Sequence, residues 1–285
     1  MKKLLAITAL SAALFFGQTV AAEEKAAEEV KPSHVEMVLV LDESGSMSDL
    51  TRDTIGGFNS MIEKEKKLDV DAHVTTVLFN DQYKMLYNRR ELKDVRKMTD
   101  KDYTPGGMTA LLDAVGRTIH KMDMVSGIHR KDKGNKVLFV IITDGEENDS
   151  KEYTYADVKK LIKDRQENAG WEFIFLGANI DAAAEAENLG IDRDRAVKYK
   201  NTGSGVRANF MAVAELSDSL AKSGRVSDEW KSQVEEDTDE DIMAAPADTK
   251  EHAAPPAKPV KKHLVSKVRK ARSEERRVGK ECRSR

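Results

Sequence analysis

Cysteine is nearly absent from this chain: among 285 residues only Cys282 carries a thiol, so neither a disulfide framework nor a Cys-based zinc site can hold the fold. Core packing must do so instead. Histidine is scarce as well. His34, His73, His120, His129, His252 and His263 show no HExxH motif and no paired metal spacing, which reads them as surface or structural residues. Equally missing are a GxSxG nucleophile elbow, a GxxxxGKS/T phosphate loop, and paired catalytic carboxylates with a histidine. Beyond residue 22 no apolar run is long enough to cross a bilayer, so no transmembrane segment is expected after signal cleavage.

Charge is close to balance overall, at −3, but it is unevenly placed. Residues 258–285 hold twelve Lys or Arg against three Glu, which leaves about −12 on the rest of the chain. An acidic body argues against a nucleic-acid-binding fold, while a basic tail is either solvated or drawn to phosphate and anionic lipid. The first residues, MKKLLAITALSAALFFGQTVAAEEK, have Lys2 and Lys3, an apolar run from Leu4 to Phe16, and small residues Val20 and Ala22 ahead of Glu23. That is the pattern of a secretory signal peptide cut after Ala22, with a periplasmic or secreted product; a leader that does not work would leave the protein cytoplasmic.

Between the leader and the tail, apolar runs alternate with helical stretches. VEMVLVL (35–41), HVTTVLF (73–79), KVLFVII (136–142), WEFIFLG (171–177) and RAVKY (195–199) read as strands, three of them almost wholly apolar. Such strands are buried on both faces, which favours parallel pairing covered by helices. Amphipathic helices are expected over 51–66, 109–125, 154–168, 181–188 and 204–222. Asn80 and Asp81 separate two strand-like runs at hairpin spacing, so 83–87 should be one antiparallel edge strand. The predicted fold is α/β: a doubly wound, mostly parallel sheet with helices on both faces. The expected organisation is a leader over 1–22, a linker over 23–33, a domain over 34–222 and a disordered charged, Ala- and Pro-rich tail over 223–271. Residues 272–285, with RSEERRVGKEC, are similar to a translated sequencing adapter and are expected to be non-native; a genuine basic tail is the alternative.

In open α/β sheets ligands bind beyond the carboxyl ends of the strands, where strand order reverses. Three polar segments fall there. Asp42, Ser44 and Ser46 follow the first strand at every second position; Gly106 and Gly107 precede Thr109, which should open a helix; Asp144 ends the most apolar strand and Gly145 turns the chain. Each is an ordinary cap or turn when taken singly. Together they offer two carboxylates and three hydroxyls, hard oxygen donors suited to a small divalent cation, Mg²⁺ before Mn²⁺. Glu43, Glu146 and Glu147 sit near the same rim, either as a solvated acidic edge or as a preference for partners with basic groups.

DxSxS at Asp42, Ser44 and Ser46, a Thr after a Gly-containing loop at Thr109, and TDG at Asp144 resemble the von Willebrand factor A (vWA) domain and its metal-ion-dependent adhesion site. The likeness covers about residues 34–222, and TDGEENDSKEYTYADVKKLIKD and WEFIFLGANIDA look like stand-alone bacterial members. The resemblance implies Ser44, Ser46 and Thr109 as direct ligands, and Asp42 and Asp144 as direct ligands or hydrogen-bond partners of the hydroxyls. It also implies a protein ligand whose acidic side chain completes the coordination, and no enzymatic activity. The competing reading is a Mg²⁺-dependent phosphohydrolase of the haloacid dehalogenase type, which also places an Asp after strand one. That class needs a second Asp two residues on, where this chain has Ser44. GSGVRA (203–208) formally matches a dinucleotide fingerprint but precedes the last helix, so Ser204 reads better as an N-cap.

Overall fold

The computed structural model describes residues 34–125, 135–227 and 229–235. Among them β1 (His34–Asp42) leads through a 3₁₀ turn into α1 (Thr51–Lys67), followed by β2 (Ala72–Phe79) and β3 (Tyr83–Glu91). After them come α2 (Leu111–Asp123), β4 (Asn135–Thr143), α3 (Tyr155–Asp164) and β5 (Glu172–Gly177). The chain continues through α4 (Ala182–Leu189), β6 (Ala196–Lys198), α5 (Gly203–Ser223) and α6 (Trp230–Glu235). The sheet runs β3-β2-β1-β4-β5-β6; β3 is antiparallel to β2 and every other pairing is parallel. Strand order therefore reverses between β1 and β4, which places the ends of those two strands at the crevice where open α/β sheets bind ligands.

Alternation along β1 divides the core in two. Val35, Met37, Leu39 and Leu41 pack with Phe58 of α1, Phe210 of α5 and Trp230 of α6. On the other face Val38 and Val40 join Val115 of α2, Val158 of α3 and Ala186 of α4. Both sides of the central strands are dry, which is why their sequences read as unbroken apolar runs.

The helix starts are set by local chemistry. Thr154 and Asp157 form a capping box on α3, and the Asp181 carboxylate accepts from the Ala184 amide on α4. Thr202, rather than the expected Ser204, caps α5 by accepting from the Gly205 amide. Thr109 does not open α2; the helix begins two residues later.

Order also runs past residue 222, where the sequence led us to expect it to fade. Trp230 is 1% exposed and Val234 is buried, so α6 extends the α1/α5 side of the core where it packs on α5 and β6. The charged, Ala-rich composition around 236–250 hides this short helix, whose apolar signal is two residues four apart. The expected leader, linker, remaining tail and non-native segment lie outside the described residues. Within the described residues no helix is long and apolar enough to cross a membrane.

Candidate functional site

The rim at the β1/β4 crevice is built from four loops. β1 ends at Asp42, whose Oδ1 accepts from the Ser44 amide at 2.7 Å and whose Oδ2 accepts from the Thr143 hydroxyl at 2.6 Å. The first bond closes a local turn at the strand end, just before the 3₁₀ turn that carries Ser46. The Ser44 and Ser46 hydroxyls are 3.1 Å apart, and Ser46 donates to Asp144 Oδ1 at 2.6 Å. Asp42, Ser44, Ser46 and Asp144 thus form one connected set across 102 residues of sequence. Asp144 Oδ2 is buried with no hydrogen-bond partner.

Thr109 joins this set by position. A Cβ placed at Gly145 would stand 3.8 Å from the Thr109 hydroxyl oxygen, so that hydroxyl lies beside the turn that follows Asp144. Its loop is tied to the DxSxS turn through main chain: the Gly45 amide donates to the Gly107 carbonyl at 3.2 Å, and the Gly106 amide to the Glu43 carbonyl at 2.9 Å. Gly107 has φ +77°, a left-handed conformation that side chains resist.

Burial raises the Asp42 carboxyl above the ordinary carboxylate range; its bonds to Ser44 and Thr143 oppose the shift and the nearby Asp144 charge reinforces it. Two buried carboxylates close together with one unpartnered oxygen make an electrostatic deficit that a cation would relieve. The donor chemistry, carboxylate and hydroxyl oxygen without sulfur or imidazole, fits a hard divalent ion.

The vWA-TerF-like family, described as the vWA found in the TerF C terminus, matches residues 34–201, β1 through β6. The chain belongs to this family. No curated protein matches the sequence. Among solved structures, the pilus adhesin SpaC from Lactobacillus rhamnosus GG is 14% identical over 68% of this chain and 31% of its own, with a TM-score of 0.50. The vWF domain of the type V pili tip protein Mfa5 from Porphyromonas gingivalis is 12% identical over 69% of this chain and 99% of its own, with a TM-score of 0.48. A von Willebrand factor type A protein from Catenulispora acidiphila is 15% identical over 65% of this chain and 43% of its own, at 0.43, so this chain spans less than half of its length. These likenesses are of fold.

The vWA rim is held by side chains that local sequence spacing does not connect to it. Glu43, expected with Glu146 and Glu147 either as a solvated edge or as a preference for basic partners, is 4% exposed; it pairs with Lys84 at 3.3 Å and accepts from the Thr104 amide and hydroxyl, bracing the loop that leads to Thr109. Glu147 is likewise engaged: its carboxylate accepts from the Leu112 amide at the start of α2 and from the Asp149 and Ser150 amides in its own loop. It thereby satisfies a helix end that has no N-cap side chain. Only Glu146 of the three is exposed. The Asn148 side chain accepts from the Thr109 amide at 2.8 Å, and Asp113 accepts from the amides of Lys151, Glu152 and Tyr153. Burial pushes the Asp113 carboxyl up, but those three amides prevail and hold it below its usual range. Tyr103 and Tyr199 floor the rim, donating to the carbonyls of Asp42 and Thr143.

Proposed function

We propose that this vWA domain is an exported, metal-dependent protein-binding module. In this reading Asp42, Ser44, Ser46, Thr109 and Asp144 hold Mg²⁺ or Mn²⁺, and the partner is a protein presenting an acidic side chain. The observation that carries it is the Asp42-Ser44-Ser46-Asp144 hydrogen-bonded set at the strand-order reversal, with one Asp144 oxygen left over. Ser44 and Ser46 would contribute neutral oxygens, and the carboxylates would orient those hydroxyls as well as supply charge. A bound ion would supply an electrophilic centre for the incoming carboxylate. The Glu43, Glu147 and Asn148 bonds fix the loops in advance, so little ordering cost is left for binding. The leader expected at 1–22 is the basis for export, to the periplasm or beyond.

The geometry favours this reading over the phosphohydrolase one. Both Asp42 oxygens are occupied, by the Ser44 amide and the Thr143 hydroxyl, and the residue is 1% exposed. Release of phosphate from a panel of phosphoesters would restore that reading. The test of ours is thermal melting of the full chain with Mg²⁺, Mn²⁺ and EDTA. At a hundred times Kd the ion should add about 2.7 kcal/mol of stability, and Asp42→Ala and Ser46→Ala should abolish the gain. Equal melting with metal and with chelator in the unsubstituted chain would sink the site. Capture from cell envelope, with metal and with chelator, then scores partners lost on chelation.

A further inference from the structure

At the opposite end of β1 from this rim, about 26 Å away for a strand of this length, three ligand-type side chains converge. His34 and Glu36 project from one face of β1 because they are two residues apart, and the parallel register sets His73 of β2 directly beside Glu36. His34 Nε2 lies 2.8 Å from His73 Nδ1 and 3.3 Å from Glu36 Oε1, and the last two are 3.2 Å apart. A tetrahedral ion 2.0–2.1 Å from each ligand separates them by about 3.3 Å. Two of the three edges are already close to that spacing.

The surroundings supply the supporting bonds such a site uses. His34 Nδ1 stands 3.0 Å from Asp71 Oδ1; the neutral tautomer that donates there turns the Nε2 lone pair inward, where an ion would replace the proton that Nε2 otherwise shares with Glu36. Arg89, held at φ +46° where the β2/β3 pairing slips register, places a guanidinium nitrogen 3.3 Å from His73 Nδ1, and an ion bound there would take that lone pair and displace the guanidinium nitrogen. The same guanidinium grips both Glu36 oxygens, its terminal nitrogen on Oε1 and its Nε on Oε2 at 3.0 Å, so an ion would replace the terminal nitrogen at Oε1 while the Nε bond to Oε2 persists. Glu36 is buried, and both imidazoles line a cleft of about 620 Å³ with Asp71, Glu91 and Lys93.

We propose that His34, Glu36 and His73 form a second metal site, selective for Zn²⁺ and similar first-row divalent ions, with its fourth position open to the cleft. The donor set separates it from the rim. Imidazole nitrogen with a single carboxylate suits borderline ions, whereas the rim offers oxygen alone. The proposal is independent of the rim reading.

The test is titration of the full chain, carrying Cys282→Ser to remove the thiol, with Co²⁺ read by visible d–d absorption and Zn²⁺ by displacement. One equivalent of Co²⁺ should give four-coordinate bands that Zn²⁺ bleaches. His34→Ala and His73→Ala should remove them, and Asp42→Ala should leave them intact. Asp71→Asn should weaken binding about ten- to a hundredfold; Asp71 is 79% and His73 27% exposed at the side chain, so neither change empties the core. Absence of the bands in the unsubstituted chain, or their survival in both histidine variants, would overturn the site and leave the cluster as an ion pair pinning β3 to β1.

Discussion

Gly107 carries more of the rim than its size suggests. Its carbonyl receives the Gly45 amide, and its φ of +77° is one that only glycine adopts without strain. A Cβ there would stand 1.9 Å from an Asp81 carboxylate oxygen, a clash that Asp81 relieves by swinging outward, but the backbone strain has no such escape. Gly107→Ala should therefore cost about 1–3 kcal/mol, read as a lowered melting temperature, and should weaken the Mg²⁺ response in parallel. An unchanged melt would mean the loop relaxes freely and does not position Thr109. At this scale the sequence was legible where a residue's spacing is local. Asp42, Ser44 and Ser46 stand out because they follow an apolar strand at regular intervals. Glu43, lying between them, gives no sign of burial, because the Lys84 and Thr104 groups that engage it come from β3 and from a distant loop. His34 and His73 are 39 residues apart and meet only through strand register, so no motif could join them.

The elements were legible from apolar periodicity, and β1, β2, β4 and β5 differ from expectation by a residue or so at each end. What composition concealed was α6, a single turn and a half after a polar break. Trp230 is buried in the core where α6 packs on α5 and β6, and removing its ring should leave a cavity. Trp230→Ala should cost about 3–5 kcal/mol, measured as a lower urea midpoint, while Met124→Ala, at an 81% exposed position, should stay within about 0.5 kcal/mol. Equal midpoints for the two variants would show that α6 contributes nothing to the domain and that its boundary belongs near 222.

For the molecule as a whole, stability should depend on pH through the seam between α1 and α5. Glu65 is wholly buried there; burial raises its carboxyl to about 7, against the opposing bond from Ser217. Its ordinary value is 4.5, so the folded state holds an extra proton between about 4.5 and 7. Stability from this group is therefore unaffected below that window, falls as pH rises through it, and is lower by about 3 kcal/mol above it. Glu65→Gln keeps the Ser217 partner and removes the titration. Denaturation at pH 5 and pH 8 should show the variant gaining on the parent by that amount at the higher pH. A constant difference would mean that Glu65 ionises in the fold at no penalty.

Both margins of the sheet are spoiled as templates for further strands. β6 offers three residues, and β3 is bent by the slip opposite Val74 and Thr76 and studded with Lys84, Arg89, Arg90 and Glu91. Among the described residues neither edge offers a long, straight ladder of free amides and carbonyls, so strand addition to this sheet is disfavoured. Edge-to-edge joining of this sheet with its own copy is disfavoured for the same reason.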